Sequence, residues 1–273
     1  MLHNKVKLPR LETHVHHSCN LKCDNCNHFS NYSVKADVIT PRIYESHNKP
    51  WSERMIPSVY QLCGGEPTLN PDLVEICCIA RDLWRDSKIL LVSNGFFLHN
   101  HLGLPKALQD NNIKLVVSVH DDSAEYKIKL KKIKSLLCDW SNEFKFELHY
   151  RESYTNWLKT FRVDDQNRTV PYNDGDPQLS YSNCLSKTAK QLFDGKLYKC
   201  PPLSYLNLIK KKYEDMSKEW DFYLGYVPLR PDCSHAELIK FVSIQEESYC
   251  NMCAANPIKY KKPNPLVQLR ANF

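Results

Sequence analysis

Cys19, Cys23 and Cys26 stand at C-x3-C-x2-C spacing directly behind a strand-like segment at 11–16. Three thiolates on one short loop cannot close a tetrahedral zinc site, which takes four ligands. They suit a four-iron cluster with one iron left open, because thiolate is the soft ligand such clusters take. An open iron can bind a small molecule through an amine and a carboxylate.

The chain holds 12 cysteines in 273 residues. Met1-Leu2-His3-Asn4-Lys5 lacks the apolar core of a signal peptide. Mean hydropathy is -0.52, and no run nears the ~18 apolar residues of a membrane span. We therefore expect a cytoplasmic protein with no membrane partner. A cytosolic chain has little use for disulfides, so its thiols point to metal. The net charge of +6 permits an anionic ligand without demanding one.

The first 150 residues alternate strand-like and helical stretches, the pattern of an α/β domain. Strands are expected at 11–16, 58–63, 88–93, 114–120 and 144–150. One helix is expected behind Asn70 as N-cap and Pro71, with Leu73, Ile76, Cys77, Ala80, Leu83 and Trp84 on one face. A second starts at Ser123 and turns Tyr126, Leu130, Ile133 and Leu137 inward. Its lysines between 127 and 134 read as a solvated face. The polar stretch 163–182 reads as a linker. Beyond it, Asp194-Gly195 between two short apolar runs signals a hairpin. The region from 183 to about 255 holds five cysteines and reads as a small module that a metal would staple.

Gly64-Gly65-Glu66-Pro67 follows the second expected strand, Ser93-Asn94-Gly95 ends the third, and Ser118 lies near the end of the fourth. With the cysteine triad, these motifs resemble the radical S-adenosylmethionine (SAM) superfamily in order and spacing. The resemblance implies a partial (β/α)6 TIM-like barrel over 8–165, and a SAM-binding four-iron cluster on Cys19, Cys23 and Cys26. It also implies SAM contacts from Gly64, Gly65, Glu66, Ser93, Asn94 and Ser118. Arg151 is either a partner of the SAM carboxylate or a surface arginine. The position before the third cysteine is usually aromatic in the family and here is Asn25, read as a variation in packing.

Cys184, Gly195 and Cys200 at C-x10-G-x4-C spacing, with Cys250-x2-Cys253 later, resemble the auxiliary-cluster modules known as SPASM and twitch. The resemblance implies one auxiliary four-iron cluster on Cys184, Cys200, Cys250 and Cys253, in a twitch-like module over 180–255. A C-terminal tail follows at 256–273. A structural zinc ribbon on the same four cysteines is the alternative. Cys63, Cys77, Cys78 and Cys138 read as packing residues. Cys233 stays open between a fourth ligand, an inert thiol and a hydrogen-atom donor.

Glu12, His14 and His16 share one strand face by period-two alternation, which in a barrel turns inward, while His17 turns outward. His14 and His16 are thus candidate catalytic residues beside Cys233, or satisfied polar side chains. His28, Asn31, Tyr32, His120, Asp121 and Tyr150 are further candidates near strand ends.

What the resemblance implies for function is a deoxyadenosyl radical that takes a hydrogen atom from an unactivated carbon. Length and the single auxiliary cluster are similar to the inosamine dehydrogenases of that superfamily. The expected substrate is thus a sugar, cyclitol or related polar metabolite, with oxidation or epimerisation as outcome. An electron donor such as flavodoxin or ferredoxin is the implied partner. A peptide-modifying enzyme is the runner-up, although a first strand at residue 11 leaves no leader-binding domain ahead of it. A zinc-binding nucleic-acid protein, with lysines at 127–134 and 259–262 on phosphate, is the reading from another class. It leaves the cysteine triad one ligand short.

Overall fold

Parallel strands need crossovers, and four strand–helix repeats supply them. β1 (Val6–His16) leads through the cysteine loop and α1 (Pro41–Ser52) to β2 (Met55–Gly64). α2 (Leu73–Leu83) then leads to β3 (Lys88–Ser93), α3 (Leu104–Asp110) to β4 (Ile113–Val119), and α4 (Ala124–Glu143) to β5 (Leu148–Glu152). A ribbon of β6 (Arg162–Val163) and β7 (Thr169–Val170) follows, then α5 (Pro177–Ser182). Last come β8 (Ala189–Phe193), β9 (Lys196–Tyr198), α6 (Pro201–Lys212), α7 (Asp221–Leu224) and α8 (His235–Ser243).

The computed structural model describes residues 5–32, 38–166, 168–213 and 216–259. Within them the main sheet runs β5-β4-β3-β2-β1-β8-β9. β1 to β5 and β8 are parallel, and only β9 is antiparallel. This is the expected α/β partial barrel, with one difference in strand order. The sixth parallel strand joins beyond β1 and not beyond β5. The expected hairpin therefore extends the main sheet. Its Asp194 and Gly195 carry φ of +50 and +68, which Gly tolerates freely and Asp better than most residues.

β3 shows why a continuous apolar run makes a central strand. Ile89 and Leu91 pack into the main core under the helices, while Leu90 and Val92 meet Cys63 and Val116 on the other face. α4 starts as expected: the Ser123 hydroxyl caps the Tyr126 amide, and Tyr126, Ile133 and Leu137 are buried. Lys127, Lys131, Lys132 and Lys134 are exposed. In α2, Leu73, Ile76, Cys77 and Ala80 are buried as expected.

Several expectations are corrected. α2 begins two residues later than expected, at Leu73, yet Asn70 still makes the local cap bond, its Oδ1 accepting the Asp72 amide at 2.9 Å. Asn70 is fully buried, and its amide joins the carbonyls of Val15 and Ile39 at 2.7 and 2.8 Å. The fifth strand starts at 148, later than the expected 144. Cys78 and Cys138 are exposed rather than packed. The stretch 163–182 is no free linker: Tyr172 and Asn173 donate their amides to Met252 and Asn251, and the Ser180 hydroxyl bonds the Cys253 carbonyl. The second half of the chain also has its own aromatic core. Tyr198, Tyr205, Trp220, Tyr223 and Tyr226 pack there with Phe29 from the cysteine loop. Among the described residues no helix is long and apolar enough to cross a membrane. Residues 260–273, with the basic Lys261 and Lys262 of the tail, lie outside the described residues.

Candidate active site

Barrel sites gather at the C-terminal ends of the parallel strands, and here a cavity of about 430 Å³ opens there. Cys19, Cys23 and Cys26 line it from the loop after β1, Gly64, Gly65 and Glu66 from the end of β2, and Ser93 and Asn94 from β3. Ser118 lines it from β4 and Arg151 from β5. The volume is in the range of cofactor sites.

The two glycines are needed for the approach of two backbones. A Cβ on Gly64 would overlap the carbonyl oxygen of His16, and one on Gly65 those of His17 and Ser18. The amides of Gly65 and Glu66 donate to His16 and Ser18 at 2.9 Å each. The Gly-Gly pair thus clamps the cysteine loop against the end of β2.

Glu66 is 1% exposed. One carboxylate oxygen accepts the hydroxyls of Thr68 and Ser93, both at 2.6 Å, and the Thr68 amide. The other accepts the Asn94 amide at 2.7 Å. Burial pushes the carboxyl above its usual range, and these hydrogen bonds oppose the shift. The Asn94 side chain reaches Asn20 Oδ1 at 2.7 Å, beside Cys19. Asn20 and Thr68 had no signal beyond being polar neighbours of the motifs.

Asn25 has φ of +52, a left-handed conformation that Asn adopts more readily than a bulky side chain. Its Oδ1 accepts the amides of Thr160 and Phe161 at 3.0 and 3.1 Å. That explains the departure from an aromatic residue: Asn25 seats the 157–161 segment over the cysteine loop. His120 Nδ1 lies 3.7 Å from Cys23 Sγ. Burial, with Cys26 and Cys19 beside it, pushes the Cys23 thiol well up. A bound cation reverses that cost.

The second cysteine group meets the same cavity. Cys184, Cys200 and Cys253 line its far wall. Burial and the neighbouring Cys184 and Cys250 push the Cys200 thiol up to about 12. Among the described residues no three sulfurs of Cys184, Cys200, Cys250 and Cys253 lie within 4.8 Å of one another, nor do those of Cys19, Cys23 and Cys26.

No family model matches the chain. A curated relative, the GTP 3',8-cyclase of Aquifex aeolicus (strain VF5), is 34% identical over 116 residues, 41% of this chain. The chain matches about a third of that relative's length, 35%. A structure of BtrN in complex with AdoMet and 2-DOIA superposes with a TM-score of 0.51 at 13% identity, covering 96% of this chain and all of that one. The chain carries the fold and the motifs of the radical SAM enzymes. A structure of anSMEcpe with bound AdoMet and a Cp18Cys peptide is also similar, with a TM-score of 0.39 and 18% identity over 54% of this chain and 42% of that one.

Inside this barrel, the three expected catalytic residues are not in the cavity wall. Cys233 packs against the main core below α8. Arg54, which precedes β2 at the opposite end of the barrel, donates to the Cys233 carbonyl at 2.7 Å and to its sulfur at 3.4 Å. A hydrogen-atom donor must reach the substrate, and Cys233 is not among the residues that line the cavity. The register irregularity between His14 and His16 breaks the alternation of β1. His16 therefore leaves the inner face, and His17 turns back onto His14 with 3.1 Å between their Nδ1 atoms, instead of outward. His14 lies behind His28, which does line the cavity.

The inner face instead presents Arg10, Glu12 and Arg151. Arg10 lies 3.8 Å from Glu12. Arg151 reaches Ser118 Oγ and Ser153 Oγ at 3.4 and 3.3 Å. Burial raises the Glu12 carboxyl, and Arg10 and Arg151 oppose that shift. Arg10 was legible only as the next period-two position before Glu12.

Proposed function

We propose that the chain is a radical SAM enzyme that oxidises a hydroxyl-bearing small molecule, a sugar or cyclitol. The observation that carries this reading is one cavity whose wall holds both cysteine groups and a charged floor of Arg10, Glu12 and Arg151. Cys19, Cys23 and Cys26 would hold the SAM-binding cluster, and Cys184, Cys200, Cys250 and Cys253 an auxiliary one. When bound, these groups and SAM supply a deoxyadenosyl radical that takes a hydrogen atom and an acceptor for the second electron.

The chain's own residues bind and orient. Gly64, Gly65 and Glu66 hold the cysteine loop, and the network of Ser93 and Asn94 fixes its approach to β3. Arg10 and Arg151 donate to hydroxyl oxygens, and Glu12 accepts a hydroxyl proton at its carboxylate. The 157–161 segment, seated on Asn25, covers the mouth and keeps water away. Oxidation is favoured over epimerisation because Cys233, the candidate donor of a returning hydrogen atom, sits outside the cavity. A flavodoxin or ferredoxin would supply the reducing electron.

The test is deoxyadenosine formation under dithionite by the anaerobically reconstituted protein, with a carbon-deuterated cyclitol and a cysteine-containing peptide as rival substrates. Deuterium passing from the cyclitol into deoxyadenosine supports the reading. Transfer from the peptide alone overturns the substrate class. Cleavage retained after Cys19, Cys23 and Cys26 are all changed to Ala overturns the cluster site.

A further inference from the structure

His14, His28 and Cys63 place two imidazole nitrogens and a sulfur within 4.8 Å of one another. They form a third cluster, separate from both cysteine groups. Its spacing differs from theirs in the direction that matters. Bonds of about 2.0–2.3 Å around one ion bring its donors this near, and a polynuclear cluster does not fit.

The rings are also held from behind. His14 Nε2 faces His28 Nδ1 at 2.7 Å. The Gly64 carbonyl accepts a hydrogen bond from the His28 ring. The other nitrogen of His14 meets His17 Nδ1 at 3.1 Å, and Tyr205 stacks on the His14 ring at 4.0 Å. A ligating histidine gives its second ring N–H to such a partner, and its first nitrogen is then bare and aimed. Each ring has one nitrogen on a partner of its own and the other on the shared His14–His28 contact, where a cation would replace the hydrogen-bonding proton, with the Cys63 sulfur in the same cluster.

We propose that His14, His28 and Cys63 bind one zinc ion whose fourth position opens on the substrate cavity. Two imidazoles and a thiolate are the donor set of a borderline-soft ion. His28 and Cys63 line the cavity, and three protein ligands with one open position is the catalytic pattern of zinc rather than the closed structural one. The oxygen of an alcohol is the ligand that fits the open position, since zinc lowers its hold on the proton. That last step rests on the alcohol reading above, and the zinc site does not.

The probe is zinc alone. Iron-loaded protein is given zinc sulfate, desalted and assayed for both metals, and its zinc K-edge absorption is recorded. About one zinc per chain is expected to stay, with nitrogens near ~2.0 Å and one sulfur near ~2.3 Å. His14→Phe and Cys63→Ala should each cut zinc retention about tenfold or more, at unchanged iron content and circular dichroism. Failure to retain zinc overturns the proposal and leaves a chain of neutral imidazoles. Sulfur-only coordination, or zinc retention in both variants unchanged from the parent, overturns it as well, because the zinc then sits at a cysteine group. Where a variant does not fold, the ligand set of the parent protein decides. Iron content and deoxyadenosine formation are read separately, so failure here is distinguishable from failure of the proposed function.

Discussion

The carboxylate of Glu66, at the end of β2, accepts the backbone N–H of Asn94, just past β3, at 2.7 Å. Through the Asn94 side chain the bond continues to Asn20, next to Cys19. A motif that the family places against SAM thus also ties two strand ends to the cysteine loop. Glu66→Ala would leave the Asn94 amide and the hydroxyls of Ser93 and Thr68 buried without their acceptor. The expected loss is about 3 kcal/mol of unfolding free energy, since each orphaned polar group costs roughly 1–3 kcal/mol. Denaturant unfolding and SAM binding should weaken together. A loss under about 1 kcal/mol would show that the network does not couple the strands.

Gly65 should tolerate no side chain. A Cβ there meets the backbone carbonyls of His17 and Ser18, and backbone cannot swing aside as a flexible side chain can. Gly65→Ala is expected to cost about 2–3 kcal/mol and to lower iron retention at the cysteine loop. Gly103→Ala is the control: its Cβ would meet only Val74 methyl groups at 3.6 Å or more, an ordinary contact. Equal melting temperatures for the two variants would refute the clamp.

What was legible in the sequence was local. The apolar run of β3, the Ser123 cap and the Asp194-Gly195 turn each depend on neighbours a few residues away, and each stands as expected. Asn70 illustrates the opposite case. Its Oδ1 makes the local bond its type suggests, to the Asp72 amide, but its NH2 also joins two carbonyls from distant segments, and no local pattern reveals those tertiary bonds. His17 was misplaced because period-two reasoning assumes an unbroken strand, and the irregularity after His14 shifts every later side chain. Cys233 sits at the bottom of the barrel because β2 begins beside it with Arg54, a contact across more than half the chain that no spacing reveals.

Cys233 is therefore expected to be a packing and hydrogen-bonding residue. Cys233→Ser should leave deoxyadenosine yield and the deuterium content of product unchanged. Arg54→Ala should destabilise more, because it frees the carbonyls of Pro231 and Cys233 together. About 1–2 kcal/mol is the expected scale for those two bonds. Solvent deuterium in the parent's product that disappears in Cys233→Ser would restore the donor role.

Metal removal separates the two cysteine groups. The anaerobically reconstituted chain should hold about eight irons, two clusters of four. Changing Cys184, Cys200, Cys250 and Cys253 to Ala should halve that, while SAM cleavage persists at the first group and alcohol oxidation stops. Two zincs and no iron in the parent protein would sink both cluster assignments and return the zinc ribbon.

Lys190 offers a test that needs no cofactor. The residue is 7% exposed, its ammonium lies 5.4 Å from the Phe241 ring centre, and burial with nearby Lys199 pulls its pKa down from 10.5 to about 8. Below pH 8 the lysine is charged in both states, and the folded chain carries the cost of burying that charge. Between pH 8 and 10.5 the folded chain has released the proton and the unfolded chain still holds it. The unfolded state then binds more protons, so this contribution to stability rises with pH. Lys190→Met removes both the charge and the pH dependence. The metal-free variant should be more stable than the metal-free parent at pH 7 by on the order of 2 kcal/mol. That advantage should shrink as the pH rises from 8 towards 10.5. A gap that stays constant across this range, measured by denaturant unfolding at each pH, would mean that the Lys190 ammonium is solvated.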